Sequence, residues 1–203
     1  PYRHYIQWLM KQDKAAGLSY WQNYLAGYEN QAGLPKSKAG AGAYRQEECL
    51  LEIDPVVTSQ LTAFAGNHAV TLSTVFQTVW GVALQKYNNS TDVVFGVIVS
   101  GRPPELPGVE QMVGLFINTI PLRIQTFGDE KIVGFLNRLN QEIRDRENDA
   151  ALDVQAELFD TIVVIENYPL EKVLLDKGGS GPLTIASYLL DEKTHYDLTV
   201  GVT

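Results

Sequence analysis

The sequence predicts an α/β fold built on a mixed sheet covered by helices, and three stretches carry that expectation. Asp92 to Ser100, DVVFGVIVS, is apolar almost throughout, the pattern of a strand buried on both faces and central in a sheet. Met112 to Arg123, MVGLFINTIPLR, is a second run with the length and β-branched content of a strand. Over residues 72–87, Leu72, Val75, Phe76, Val79, Trp80, Ala83, Leu84 and Tyr87 recur at helical spacing, giving a helix with one apolar stripe. A two-sided strand beside a one-sided helix is the signature of a layered α/β domain.

The remaining elements follow in order. Residues 1–28 are rich in aromatics: Tyr2, Tyr5 and Trp8 fit one short helix, and Tyr20, Trp21, Tyr24 and Leu25 a second. Ser19 is a candidate N-cap for the second helix, and Gly27 closes it. Residues 29–43 read as a mobile surface connection, so 1–43 form linking helices and a loop and not a separate domain. Arg45 to Ile53 alternates Cys49, Leu51 and Ile53 and is expected to be a strand with a buried, chemically silent cysteine. Asp54-Pro55 opens a helix to about Gly66, with Leu61, Phe64 and Ala65 inward.

Thr71 or Ser73 can cap the 72–87 helix, and Asn88-Asn89 ends it. Gly96, mid-strand, predicts close approach of a neighbour. SGRPPELPG forms a rigid loop in which Arg102 precedes Pro103 and is therefore extended; its ordinary role would be to pair with a nearby acid. The helix at 130–147 buries Ile132, Leu136, Leu139 and Ile143 beside Phe135. Its solvated face carries Arg138, Glu142, Arg144, Asp145, Arg146 and Glu147. Residues 160–167 make a strand, GGSG at 178–181 a turn, and 183–191 with 195–203 a closing hairpin.

Composition narrows the function. With 203 residues, 45% hydrophobic and 20% charged, the chain can bury a substantial core. A formal charge of -8 argues against a nucleic-acid surface. No apolar run approaches the ~18 residues of a membrane span. The opening PYRHYIQWLM lacks an uncharged apolar core, and the single Cys49 suits a reducing compartment, so a cytoplasmic location is expected. The chain starts at Pro1 and stops inside an expected strand, LTVGVT, so it reads as part of a longer protein.

The 112–123 run is the most informative. Alternation puts Leu115, Ile117 and Thr119 on one face, and Phe116, Asn118, Ile120 and Leu122 on the other; both are mostly apolar, so both should be covered. A carboxamide at Asn118, between Phe116 and Ile120, must find hydrogen bonds, because an unsatisfied one costs about 1–3 kcal/mol. Gly114 just before it suggests a bulge or a close backbone approach.

Val113, Gly114, Phe116, Asn118, Thr119 and Arg123 together resemble the motif (I/V)GxFxNTxxxR of condensation domains in nonribosomal peptide synthetases. PYRHYIQW is similar to that family's Y-x-D-Y-x-x-W, with His4 in place of the acid. The Arg102 loop, LFDTIVVIENYP and THYDLTV also resemble family segments.

The resemblance implies one lobe, the second or C-terminal one, of a two-lobed fold like chloramphenicol acetyltransferase, with residues 1–203 forming that lobe. It implies amide-bond formation between an acyl or peptidyl donor thioester and an aminoacyl acceptor. Both substrates would ride on phosphopantetheine arms of upstream and downstream peptidyl carrier proteins, with an adenylation domain adjacent; the chain itself would bind no cofactor.

The family's catalytic HHxxxDG is absent: His4, His68 and His195 are the only histidines, and none are adjacent. Catalytic residues and metal ligands are therefore not assigned, and this chain alone is expected to be inactive. The resemblance puts Gly114, Phe116, Asn118, Thr119 and Arg102 along the substrate channel. The missing N-terminal lobe would be the nearest partner, and the face it leaves bare would favour self-association. An epimerisation or cyclisation relative, or a non-catalytic platform for carrier proteins, remains open.

Overall fold

The computed structural model describes residues 1–29, 33–34, 46–147, 158–166 and 194–203. Its elements are α1 (Arg3–Leu9), α2 (Lys14–Tyr24), α3 (Pro55–Asn67), α4 (Leu72–Asn88), β1 (Asp92–Ser100), β2 (Ile117–Gln125), α5 (Ile132–Glu147), β3 (Thr161–Ile165) and β4 (Leu198–Val202). The strands form one sheet in the order β2-β1-β3-β4. β2 runs antiparallel to β1, whereas β1–β3 and β3–β4 are parallel, so the sheet is mixed. This is the α/β architecture that the strand and helix patterns predict.

β1 lies between β2 and β3 and is buried on both faces. Val93, Phe95 and Val97 join Ile120, Leu122 and Ile124 of β2 under Leu84 of α4 and Phe135 and Leu139 of α5. Val94 packs on the opposite side with Phe159 and Ile162. Gly96 is the close approach its position predicts: a Cβ there would collide with the Phe159 ring and with Ile162 of β3.

The helix starts are set by local chemistry. Asp13 caps α2, its Oδ1 accepting the N–H of Ala15 and Ala16 at 2.9 and 3.0 Å. Ser19 is not the cap; it lies within α2, because the helix begins a turn and a half earlier than the aromatic pattern suggests. Asp54 caps α3 with Pro55 at its first position, and Thr71 caps α4, as expected. Asn89 ends α4 in the left-handed conformation at φ 48°.

Four further expectations are corrected. First, 46–54 is not a strand. Cys49 is exposed, as are Leu50 and Leu51, and no described strand pairs with the segment. Alternation fixes which way side chains point, but a strand also needs a ladder, and the sheet of the described residues does not include this segment.

Second, α4 buries Thr74, Val75, Thr78, Gly81, Leu84 and Gln85, leaving Val79, Ala83 and Tyr87 outside. The polar side chains can go inward because they are satisfied there. Thr74 Oγ1 donates to Asn140 Oδ1 at 2.9 Å, and Thr78 Oγ1 to the Thr74 carbonyl at 2.7 Å. Gln85 Nε2 reaches the carbonyls of Thr91 and Ile124 at 2.8 and 3.0 Å. Gly81 lets the helix settle on Ile124 with no side chain between.

Third, Arg146 is no surface residue. It is 1% exposed, and its Nη1 donates to Tyr24 Oη at 2.8 Å and to the Pro121 carbonyl at 3.0 Å. It continues the inward line of Leu139 and Ile143, while Ile132, at the helix start, is exposed. Arg138 does pair outward, with Glu130 at 2.8 Å and Glu142 at 3.1 Å, and it holds the Glu130 carboxyl below the usual carboxylate range.

Fourth, 112–123 is only partly strand. β2 starts at Ile117, and burial on both faces holds only from Ile120 to Ile124. The hairpin expected from 183–191 and the GGSG turn lie outside the described residues, as does most of the 29–43 connection. What is seen of the final strand is β4, paired parallel with β3.

A Cβ at Gly81 would meet the Ile124 side chain, so Gly81→Ala should overpack the contact between α4 and β2. We expect a loss of about 1–3 kcal/mol in urea-induced unfolding, with an unchanged denaturant slope. No measurable loss would mean that Ile124 moves aside freely.

Candidate functional site

The family-like motif residues gather where α1, the 101–112 loop and the start of β2 meet. α1 lays Tyr2, Tyr5 and Trp8 along one side, and the loop returns over them through a 3-10 turn at Val109–Gln111. Tyr5, Val109, Met112 and Phe116 are buried together there.

Phe116 is the centre of this knot at 4% exposure. Tyr2 meets its ring edge-on at 5.2 Å and Tyr5 lies tilted at 4.7 Å, separations at which aromatic pairs are stabilising. The Arg102 guanidinium carbon sits 4.0 Å from the Phe116 ring centroid. Arg102 Nη1 donates to the carbonyls of Val109 and Met112, the latter at 3.0 Å. The expected acid is not among these partners. Arg102 serves the loop's own carbonyls, adding a second donor to that of Val109, which also accepts the Met112 N–H at 3.1 Å.

Two glycines make the knot possible. A Cβ on Gly114 would overlap the Tyr2 ring, and one on Gly101 would strike the Phe116 carbonyl oxygen. Gly101 N–H donates to that carbonyl at 2.8 Å, extending the β1–β2 pairing by one rung. Tyr2 Oη donates to the Leu115 carbonyl. Burial, then its neighbour Tyr2, raises the Tyr5 hydroxyl above its ordinary range, so it is a neutral group at physiological pH.

Arg102, Gly114 and Phe116 are thus brought together. Asn118 and Thr119 lie further along β2, opposite Val99 and Ile98, and are partly exposed. Asn118 Oδ1 accepts the Thr119 N–H at 2.8 Å. Beside the knot, Val113, Leu115 and Ile117 are 93, 76 and 58% exposed, an apolar row among the described residues.

None of the three histidines joins the knot: His4 is exposed, His68 packs on Phe64 at 4.5 Å, and His195 on Tyr196 at 4.2 Å. Among the described residues no His, Cys, Asp or Glu cluster could hold a metal. The arrangement can shape and bind.

The motif's last residue, Arg123, is placed elsewhere. Its Nε and Nη2 bind both oxygens of Asp92 at 2.9 and 2.6 Å, and its Nη1 reaches the Tyr24 and Ala26 carbonyls at 3.0 and 2.9 Å. The structure also adds Tyr2 and Tyr5, whose i, i+3 spacing was visible but whose contact with Phe116 was not.

The model of the family described as "Condensation domain" matches residues 1–203. The chain belongs to the condensation-domain family. Gramicidin S synthase 2 of Brevibacillus brevis is 42% identical over 218 residues, covering 100% of this chain and 5% of that protein. Tyrocidine synthase 3 of Brevibacillus parabrevis is 44% identical over 214 residues, covering 100% of this chain and 3% of that protein.

Among solved structures, the first condensation domain of the calcium-dependent antibiotic synthetase superposes with TM-score 0.62 at 17% identity, covering 76% of this chain and 37% of that one. A holo four-domain nonribosomal peptide synthetase bound to AMP and glycine gives 0.68 at 17% identity, covering 81% and 14%. These likenesses establish the condensation-domain fold. This condensation-domain chain therefore spans a small share of the synthetases it matches. Among its described residues, no helix is long and apolar enough to cross a membrane.

Gly114→Ala is expected to push the Tyr2 ring off Phe116 and loosen α1, costing about 1–3 kcal/mol. Amide exchange across residues 3–9 should rise while exchange in α5 stays constant; unchanged exchange in α1 would show that the ring contact does not hold it.

Proposed function

We propose that this chain is the C-terminal lobe of a nonribosomal peptide synthetase condensation domain. In the intact enzyme that domain joins a carrier-bound acyl or peptidyl thioester to the amine of an aminoacyl thioester. The match of the whole chain to the family model carries the reading. Its location would be the cytoplasm.

Its partners are the N-terminal lobe of the same domain, the upstream and downstream peptidyl carrier proteins and the adjacent adenylation domain. Phosphopantetheine belongs to the carriers and reaches the chain only as a tethered arm. The catalytic-motif histidine comes from the other lobe, as base or as positioner, because HHxxxDG does not occur in these residues.

In this reading the start of β2 forms one wall of the channel. Gly114, Phe116 and Arg102 act from behind, as the knot that fixes the wall's position. Asn118 and Thr119, with Val113, Leu115 and Ile117, present its surface. An apolar row suits the alkyl portions of a tethered arm and a dry reaction space, where water would otherwise hydrolyse the thioester. The same bare row favours self-association of the isolated chain.

Two measurements test this. Mixed with loaded donor and acceptor carriers, the chain alone should yield no dipeptidyl thioester above a control without enzyme; product above control would overturn the division of labour. In the intact domain, Asn118→Ala should cost about 1–3 kcal/mol in stability. Condensation should stay near parental at a permissive temperature. A tenfold loss of rate, about 1.4 kcal/mol in the barrier, with an unchanged melting temperature would instead make Asn118 a substrate contact.

A further inference from the structure

β2 is the outermost strand of the described sheet, and such a strand normally offers a row of unpaired N–H and C=O groups. The ladder with β1 shows which groups those are. Phe116 and Thr126, at the two ends, bond towards the β1 side through the Phe116 carbonyl and the Thr126 N–H. Even-numbered residues therefore face β1, and odd-numbered residues turn their peptide groups outward.

Each outward position from Thr119 to Gln125 meets a side chain. The Thr119 N–H donates to Asn118 Oδ1 at 2.8 Å. Pro121 has no N–H, and its carbonyl accepts from Arg146 Nη1 at 3.0 Å. The Arg123 N–H donates to Tyr24 Oη at 2.8 Å. The Gln125 carbonyl accepts from Arg138 Nη2 at 2.9 Å. Two of these four partners are guanidinium groups, which make the stronger, charge-assisted kind of hydrogen bond. They come from α2, α5 and β2 itself, so the seal forms only when both helices are docked.

We propose that the outer edge of β2 is sealed against strand addition by Asn118, Arg146, Tyr24 and Arg138, which occupy one outward peptide group at each of Thr119, Pro121, Arg123 and Gln125. An incoming strand would have to break four hydrogen bonds in register and would meet no donor at Pro121. Association on this side of the chain is thereby confined to side-chain contacts. The seal stands on the hydrogen bonds alone and is independent of the catalytic reading.

Amide exchange and self-association of the full chain test it. In the parent, the Thr119 and Arg123 amides should exchange at least tenfold more slowly than unstructured peptide. Asn118→Ala should speed Thr119 at least tenfold, and Tyr24→Phe should do the same for Arg123, with Leu122 and Ile124 unchanged. A triple variant, Asn118→Ala, Pro121→Val and Tyr24→Phe, should associate beyond the parent and show the infrared band of intermolecular β-sheet. Leu84→Ala, destabilised in the core with its edge capped, should not show that band. Rapid exchange of Thr119 and Arg123 in the parent would overturn the proposal, whether or not the triple variant folds. So would a natively folded triple variant without the band, or equal association by Leu84→Ala.

Discussion

The guanidinium of Arg123 holds three elements at once. Four of its five N–H groups are used: two on the carboxylate of Asp92 at the start of β1, and two on the Tyr24 and Ala26 carbonyls at the end of α2. The side chain is 9% exposed, so its charge has little water to fall back on. Losing one partner of such a pair costs about 3–5 kcal/mol when it is fully buried; the partial exposure of Asp92 places this one towards the lower figure. The half-exposed Arg138 pairs with Glu130 and Glu142, more open to solvent, contribute about 0.2–1 kcal/mol each by comparison. A lysine could not replace Arg123, because a point charge cannot fork onto a carboxylate while also reaching two carbonyls.

That clamp explains how an aromatic N-terminal segment becomes part of the core. With α2 drawn in, Trp21 is buried against the sheet and Tyr24 lies between the backbone of β2 and Arg146 of α5. Burial raises the Tyr24 hydroxyl above its ordinary range, and it stays protonated while accepting from both arginines. The family-like motif thus divides along its length. Gly114 and Phe116 fix α1, Arg123 fixes α2, and of the residues between them only Ile117, Asn118 and Thr119 reach the surface.

The central layer was legible in the sequence. β1 has the bounds its apolar run suggests, α3 starts at Asp54-Pro55, and α4 starts at Thr71, since each is decided by local chemistry. What was not legible depends on a partner far away in the chain. Arg146 reads as one more charge in a charged run until Tyr24 and Pro121 stand opposite it, although its spacing from Leu139 and Ile143 was a clue. Thr74, Thr78 and Gln85 read as the polar side of α4 until Asn140 and three carbonyls receive them. The segment with Cys49 has the alternation of a strand and no described neighbour to pair with. At the candidate site, Phe116 and Gly114 were recognisable by spacing, whereas the packing of Tyr2 and Tyr5 against Phe116 needed a fold.

The strand order has a consequence for how the chain reaches this state. α4, β1, β2 and α5 are consecutive, occupy residues 72–147, and bury most of the helix-side core among themselves. β3 and β4 join through parallel pairings to strands distant in sequence. Closing long loops before any contact rewards them makes such pairings slow to form. The central four elements therefore have the topology of an early-forming unit, with the parallel half adding later. Until it does, β1 presents an unpaired edge on the side away from β2, beside the glycine that Phe159 will cover. The hazard of assembly lies on that side of the sheet.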